Sequence, residues 1–119
     1  MTTQGQPLTA AVFAVLLALH NGERHGYALM ADVEELTGGT VKLGPATLYR
    51  SLQRMRVDGL VEESAAEQEG ARADRRAERR RSYRITEAGR AATVAEARRL
   101  AKMLDAATRL GVLTDSTKD

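Results

Sequence analysis

Residues 45–57 combine hydrogen-bonding side chains with apolar ones at helical spacing. Guanidinium groups bind phosphate oxygens and guanine edges through paired hydrogen bonds, and hydroxyl groups bind phosphates or lie against thymine methyl groups. The polar side chains of interest in this segment are Thr47, Tyr49, Arg50 and Arg54. This set of groups suits the noncovalent recognition of a nucleic acid.

The apolar residues of the same segment predict the element that positions these groups. They are spaced four and three apart, as on one buried helical stripe, and they are Leu48, Leu52 and Met55. Pro45 stands in the first turn, where its missing N–H costs nothing. Residues 58–59, Asp-Gly, end the helix, and residues 60–61, Leu-Val, begin a strand. A helix that leads straight into a hairpin is typical of the reading element of a winged helix-turn-helix.

The preceding segments supply the other parts of a helix-turn-helix. Residues 8–19 predict a first helix that is apolar on both faces, with Phe13 and Leu17 on the second face. Residues 23–26 predict a turn, residues 27–36 a second helix, and residues 40–43 are a candidate short strand. Because the chain contains one Phe, three Tyr and no Trp, its core must be aliphatic, which favours helices. The expected fold class is therefore mainly α with a small β-hairpin.

The positive charge of the chain is concentrated next to the predicted hairpin. Strands are expected within residues 60–64 and 83–85, with Tyr83 and Ile85 on one side. Residues 72–84 carry seven arginines against two acidic residues, although the whole chain has a net charge of only +2. A solvated loop would also tolerate such a run, but its position beside the reading helix favours phosphate or minor-groove contact. The residues expected to make it are Arg75, Arg76, Arg79, Arg80 and Arg81.

A last helix is predicted over residues 87–111, with Thr86 as its N-cap. Its apolar stripe could pack on its own domain, but the two-sided first helix also needs a cover, so contact between subunits is the better hypothesis. The residues predicted at the dimer interface are Phe13, Leu17, Ala97, Leu100, Met103, Leu104, Ala107 and Leu110. The expected division is a DNA-binding domain over residues 8–86, with its wing at about 60–85, then a C-terminal dimerisation helix over 87–111. Residues 1–7 and 112–119 are expected to be disordered.

Several function classes are disfavoured by composition. The chain has no cysteine, and His20 and His25 have no ligand partners at suitable spacing, so no metal site is expected. No nucleotide-binding or hydrolase motif is present, so we expect neither an enzyme nor a cofactor. The longest apolar run, residues 10–19, is too short to cross a bilayer, and no secretory signal is recognisable. These features predict a cytoplasmic protein without membrane contact.

Four blocks of the sequence, in order, resemble the PadR family of bacterial transcriptional regulators. They are the apolar first helix, His25-Gly26-Tyr27-Ala28-Leu29, the run from Gly44 to Leu52 with residues 58–61, and Arg81-Ser82-Tyr83-Arg84-Ile85-Thr86 with Gly89. The resemblance implies a winged-helix homodimer, usually a repressor, that binds double-stranded DNA. It also implies a small apolar inducer at the dimer interface and the compact subgroup with a single C-terminal helix.

Several assignments keep an alternative. Thr47 could only cap its helix, Tyr49 could pack against the wing, and Arg54 could pair with Asp58. Lys42 and Tyr27 are candidates for contact with the phosphate backbone of DNA, and Tyr27 could equally pack against the rest of the protein. For the whole chain, a winged-helix module that binds an acidic protein partner is the second hypothesis. A double-stranded RNA binder has less support, because the major groove of RNA is too narrow for the reading helix.

Overall fold

The computed structural model describes residues 7–64 and 81–114. Four helices and a small sheet make up this part of the chain, which confirms the predicted fold class. In chain order the elements are α1 (Ala10–Leu19), β1 (Arg24–His25), α2 (Gly26–Leu36), α3 (Pro45–Val57), β2 (Val61–Glu63), β3 (Ser82–Ile85) and α4 (Glu87–Arg109).

Local sequence signals account for the helix starts. The Thr9 side chain accepts a hydrogen bond from the backbone N–H of Val12 at the start of α1. Thr86 does the same for Gly89 at the start of α4, at 2.9 Å. Pro45 opens α3, where no N–H is needed. Each device satisfies or removes a donor that would otherwise lack an acceptor in the first turn.

The sheet contains one more strand than the predicted hairpin. All pairings are antiparallel, and the strand order is β1-β3-β2. In β3, Tyr83 and Ile85 are buried and Arg84 is exposed, but Ser82, which was expected on the same side as Arg84, is buried as well. The third strand is the two-residue β1, whose Arg24 pairs with Tyr83. The segment read as a turn over residues 23–26 therefore forms an edge strand instead, because β3 offers it a free side for hydrogen bonding.

The prediction of a short strand over residues 40–43 is wrong. The segment belongs to the irregular connection between α2 and α3 and pairs with no strand of the described chain. Thr37, the C-cap of α2, explains part of its shape, because the Thr37 hydroxyl accepts the N–H of Val41 and donates to the carbonyl of Val33. These local bonds compete with strand pairing.

One aliphatic core joins the helices to the sheet. Its fully buried side chains come from α1, α2 and α3: Val15, Leu16, Leu19, Leu29, Val33, Leu48, Leu52 and Met55. Leu60, Val61, Tyr83 and Ile85 extend it across the sheet, and Ala92 brings in the first half of α4. The second half of α4 leaves this core. Among the described helices, none is both long and apolar enough to cross a membrane.

Candidate nucleic-acid interface

Helix α3 turns its apolar stripe inward and leaves a polar face in solvent. Leu48, Leu52 and Met55 are buried, whereas Thr47, Arg50, Gln53 and Arg54 are exposed. Arg50 forms no ion pair with any residue in the described part of the chain. Its guanidinium group is therefore available to an outside ligand, and Thr47 lies one turn before it on the same side.

Tyr49 lies on a different side of α3 from Arg50. Its hydroxyl oxygen is buried, and it lies over the backbone of Gly26, 2.6 Å from where a Cβ would stand. This placement departs from the expected phosphate contact, because a buried hydroxyl cannot reach DNA without leaving its site. We therefore leave Tyr49 out of the proposed contacts and treat it as the residue that packs α3 against the start of α2.

The other cations near α3 have carboxylate neighbours. Arg54 pairs with Asp58 at 3.6 Å, one helical turn away, and Lys42 lies 3.9 Å from Glu34. Both cations are largely exposed, so these pairs contribute little, about 0.2–1 kcal/mol each, and can be exchanged for phosphate contacts. Tyr27, in the first turn of α2, is 59% exposed, so its hydroxyl is accessible.

Arg81 differs from the other predicted wing residues. Its side chain is only 28% exposed, and its Nη1 lies 3.2 Å from Oε2 of Glu63. Because the guanidinium group pairs with Glu63 at the end of β2, this placement departs from the expected contact with a DNA groove. Residues Arg75, Arg76, Arg79 and Arg80 lie outside the described residues, so their role as DNA contacts stays a prediction.

The residues predicted for a dimer interface lie on two elements that meet. Phe13 and Leu17 of α1 border a groove of about 280 Å³ with Leu36 of α2 and Leu100 of α4. Beyond this groove, the apolar side chains of α4 are solvent-exposed: Met103 58%, Leu104 58% and Leu110 76%. Ala97 is exposed and Ala107 is half-buried. Since charged residues occupy the opposite side of α4, the helix is amphipathic beyond its contact with the core.

Two buried carboxylates were missed by sequence reasoning. Glu63 has a 6% exposed side chain and contacts Arg81 and Tyr83. Glu96 is 4% exposed and accepts hydrogen bonds from Arg99 and from the backbone N–H of Leu8. A glutamate three residues before an arginine is a weak signal for the second pair. The partners of Glu63 are far away along the chain: Arg81 directly precedes β3, and Tyr83 lies in it.

An exposed ion pair also joins β1 to α2. Arg24 donates two hydrogen bonds of 2.8 Å to the carboxylate of Asp32. The hydrogen bond and charge of Asp32 raise the pKa of Arg24. The pair fixes the short edge strand against the helix that follows it.

Comparisons with known proteins agree with this architecture. The model of the transcriptional regulator PadR-like family matches residues 15–95. An uncharacterized 37.1 kDa protein in transposon TN4556 of Streptomyces fradiae is 36% identical over 93 residues, covering 78% of this chain and 24% of that protein. The chain thus spans about a quarter of the length of this curated relative.

Solved structures of regulators share the fold. A transcriptional regulator from Clostridium thermocellum has a TM-score of 0.62 at 18% identity, over 83% of this chain and 87% of that one. RosR of H. salinarum has a TM-score of 0.59 at 25% identity, and the match covers 92% of this chain and 99% of that one. A variant of Lactococcus lactis ZitR was solved in complex with DNA. It has a TM-score of 0.61 at 17% identity, and the match covers 97% of this chain and 68% of that one.

The family match also bears on the class of activity. Members of the matched family are transcriptional regulators and not enzymes, in agreement with the expectation from sequence. The matched residues 15–95 include the second half of α1, all of α2 and α3, the three strands and the first part of α4. The chain belongs to the PadR-like family of transcriptional regulators.

Proposed function

We propose that this regulator is a homodimeric repressor that binds a palindromic operator in double-stranded DNA and is released by a small apolar inducer. The observation that carries the proposal is the exposed face of α3, where Arg50 lies free of ion pairs with described residues beside Thr47. A reading helix needs this arrangement, since its side chains must reach base edges while its other face stays in the core.

The contacts proposed for α3 differ in kind. Arg50 reads a base edge, because its guanidinium group is exposed and can form two parallel hydrogen bonds to guanine. Thr47, Arg54, Lys42 and Tyr27 contact the phosphate backbone and set the register of the helix. The arginine-rich segment that follows β2 adds sequence-independent attraction.

Dimerisation is supported by the second half of α4. Leu104 and Leu110 would stay in water in a monomer, and Leu17 and Leu36 lie exposed near the same groove. A second copy that contributes the same surface would cover both, as in a two-fold symmetric interface. Two reading helices about 34–36 Å apart would then enter successive major grooves of a palindromic site.

Repression and release follow from the same arrangement. A dimer that occupies two successive grooves excludes other proteins from that stretch of DNA. The inducer site is proposed in the groove between α1, α2 and α4, which Phe13, Leu17 and Leu100 line with apolar atoms. A compound bound there would alter the subunit contact and so the separation of the two reading helices; a thermal-shift screen with apolar compounds tests this part.

The decisive experiment compares Arg50→Ala with Arg56→Ala. Both variants remove one positive charge from α3, but Arg56 is half-buried and donates to Gln53 at 3.1 Å. The operator is first selected from genomic fragments at physiological salt, and the affinity of each variant is then measured for the operator and for random DNA. We expect Arg50→Ala to lower the ratio of operator to random binding by about 5- to 150-fold, the range of 1–3 kcal/mol for one base contact.

The affinities for the operator and for random DNA together separate base recognition by Arg50 from DNA binding as such. The Arg56→Ala variant should lose similar affinity for both DNAs, which leaves the ratio near that of the unsubstituted protein. An unchanged ratio in Arg50→Ala would contradict its role in base recognition. If the unsubstituted protein retains no DNA fragment at any salt concentration, the operator-binding function itself fails, and an acidic protein partner becomes the better hypothesis.

A further inference from the structure

Three side chains meet at the end of β2 and the start of β3, on either side of the arginine-rich segment of the predicted wing. Glu63, the last residue of β2, pairs in register with Tyr83 of β3. Oε2 of Glu63 lies 3.2 Å from Nη1 of Arg81 and accepts a hydrogen bond of 3.3 Å from the Tyr83 hydroxyl. We call Glu63, Arg81 and Tyr83 the wing-root cluster.

The wing-root cluster is joined through the backbone to the helices. The carbonyl of Arg81 accepts the N–H of Gly26, the first residue of α2, at 2.8 Å. Gly26 in turn lies under the hydroxyl of Tyr49 from the reading helix. The position of Arg81 is therefore linked to that of α3 through two consecutive contacts.

The surroundings of the wing-root cluster favour the ion pair over exposure to solvent. The side chain of Glu63 is almost fully buried, and Nε of Arg81 is buried as well. A buried carboxylate needs a nearby cation, because removing one partner leaves the other charge without compensation. Burial, followed by the charge of Glu63, raises the pKa of Tyr83 to about 12. The hydroxyl is thus protonated at neutral pH and remains a donor to the carboxylate.

We propose that Glu63 is a positioning residue that determines DNA specificity, by holding Arg81 at the wing root and away from the phosphate backbone. This inference rests on the proposed operator binding and refines it. An arginine released at this point would be adjacent to DNA and would add a contact that any sequence can satisfy. Glu63 thus limits nonspecific binding, and Arg81 anchors the wing without binding DNA.

The salt dependence of binding to random DNA tests this role directly. Each phosphate contact changes the slope of log affinity against log salt concentration by about 0.9. Glu63→Gln should steepen the slope by about 0.9, which is roughly a further 3.5-fold loss of affinity between 50 mM and 200 mM salt. The ratio of operator to random binding should fall in the same variant. Arg81→Gln should leave the slope unchanged.

Glu62→Gln is the matched control. Glu62 is the preceding residue of β2 and is exposed, and it pairs with the exposed Arg84 at 3.1 Å. Its substitution changes the net charge equally without releasing a buried arginine. If Glu62→Gln and Glu63→Gln steepen the slope equally, only the general charge is at work and the proposal is overturned. A slope that flattens by about 0.9 in Arg81→Gln would also overturn it, by showing that Arg81 binds a phosphate.

A measurement without DNA separates this inference from the proposed function. The thermal midpoint is compared for Glu63→Gln, Arg81→Gln and the double variant. If the cluster is coupled, the double variant loses less than the sum of the two single losses, because it leaves no buried charge unpaired. Additive losses would refute the coupling even if DNA binding is intact. If the unsubstituted protein binds no DNA, the operator function fails while this thermal comparison still decides whether the cluster exists.

Discussion

At the scale of single residues, two glycines determine how closely the elements approach each other. A Cβ on Gly89 would clash with the carbonyl oxygen of Leu60 and would lie 2.8 Å from Cγ1 of Ile85. A Cβ on Gly26 would meet the hydroxyl of Tyr49 at 2.6 Å. The first obstacle is backbone, and the second is the end of a side chain, so the two sites should respond differently to a methyl group.

We expect Gly89→Ala to lower the free energy of unfolding by about 2–3 kcal/mol, although alanine favours a helix over glycine. The loss arises because α4 must move away from Leu60, which directly precedes β2, and from Ile85 of β3. Gly26→Ala should cost less, since the Tyr49 ring can shift, but it should weaken operator binding by tilting α3. Urea unfolding of both variants checks the order, and equal stability of Gly89→Ala and the unsubstituted protein would contradict the close contact.

At the scale of elements, Glu96 attaches α4 to the chain just before α1. Its carboxylate accepts the N–H of Leu8 at 3.2 Å and Nε of Arg99 at 3.2 Å. The hydrogen bond from Arg99 lowers the pKa of Glu96 most, burial opposes this shift, and the N–H of Leu8 adds to it. The contact therefore depends on the charged form of the carboxyl group.

The lowered pKa predicts how stability changes with pH. A carboxyl group whose pKa is lower in the folded state than in the unfolded state stabilises the fold. This stabilisation is fully present when the pH is above the pKa of the unfolded state, 4.5, and it is lost as the pH falls through the pKa of the folded state. We expect Glu96→Gln to be less stable than the unsubstituted protein at neutral pH, with the difference shrinking in acid. Urea unfolding across that range measures it.

Asp105→Asn is the matched control for Glu96→Gln. Asp105 pairs with Arg109 at 3.6 Å on the same helix, but both side chains are largely exposed. Its substitution should change stability little at any pH. A stability difference for Glu96→Gln that is independent of pH would show that the carboxylate charge is not what holds α4.

At the scale of the whole molecule, α4 is longer than the core it packs on. Its 23 residues extend about 35 Å, and its buried residues, from Gly89 to Glu96, all lie in the first half. A monomer would leave the apolar side of the second half in water. The proposed second copy would cover it and place two copies of α3 on one side of the assembly.

Leu104→Glu should therefore convert the proposed dimer to a monomer. The carboxylate would be placed in an apolar interface, where an unpaired charge costs several kcal/mol. Lys102→Gln changes the net charge by the same amount on the charged side of α4 and should leave the dimer intact. Analytical ultracentrifugation measures the mass, and a monomeric unsubstituted protein would contradict the interface. Loss of the dimer should also lower the affinity for the operator, because each half-site is then bound by a separate monomer.

The elements whose signals are local can be predicted from the amino-acid sequence alone. The predicted limits of α3 agree with Pro45–Val57, and Thr86 caps α4 as expected. Proline placement, capping and apolar periodicity act within one or two turns, so a short window of sequence contains the physical cause. The exposed positions of Thr47, Arg50 and Arg54 follow from the same periodicity, since a helix that buries one face must expose the other.

Which polar side chains point inward depends on contacts that form when segments distant in the sequence pack together. The edge strand β1 forms because β3 lies beside it, and Tyr49 turns inward because Gly26 leaves room. Glu63 meets Arg81 across the sheet, and Glu96 meets the N–H of Leu8, which is 88 residues away in sequence. In each case the free energy depends on a partner that folding brings near, and a charge or hydroxyl group has no helical or strand periodicity that identifies that partner.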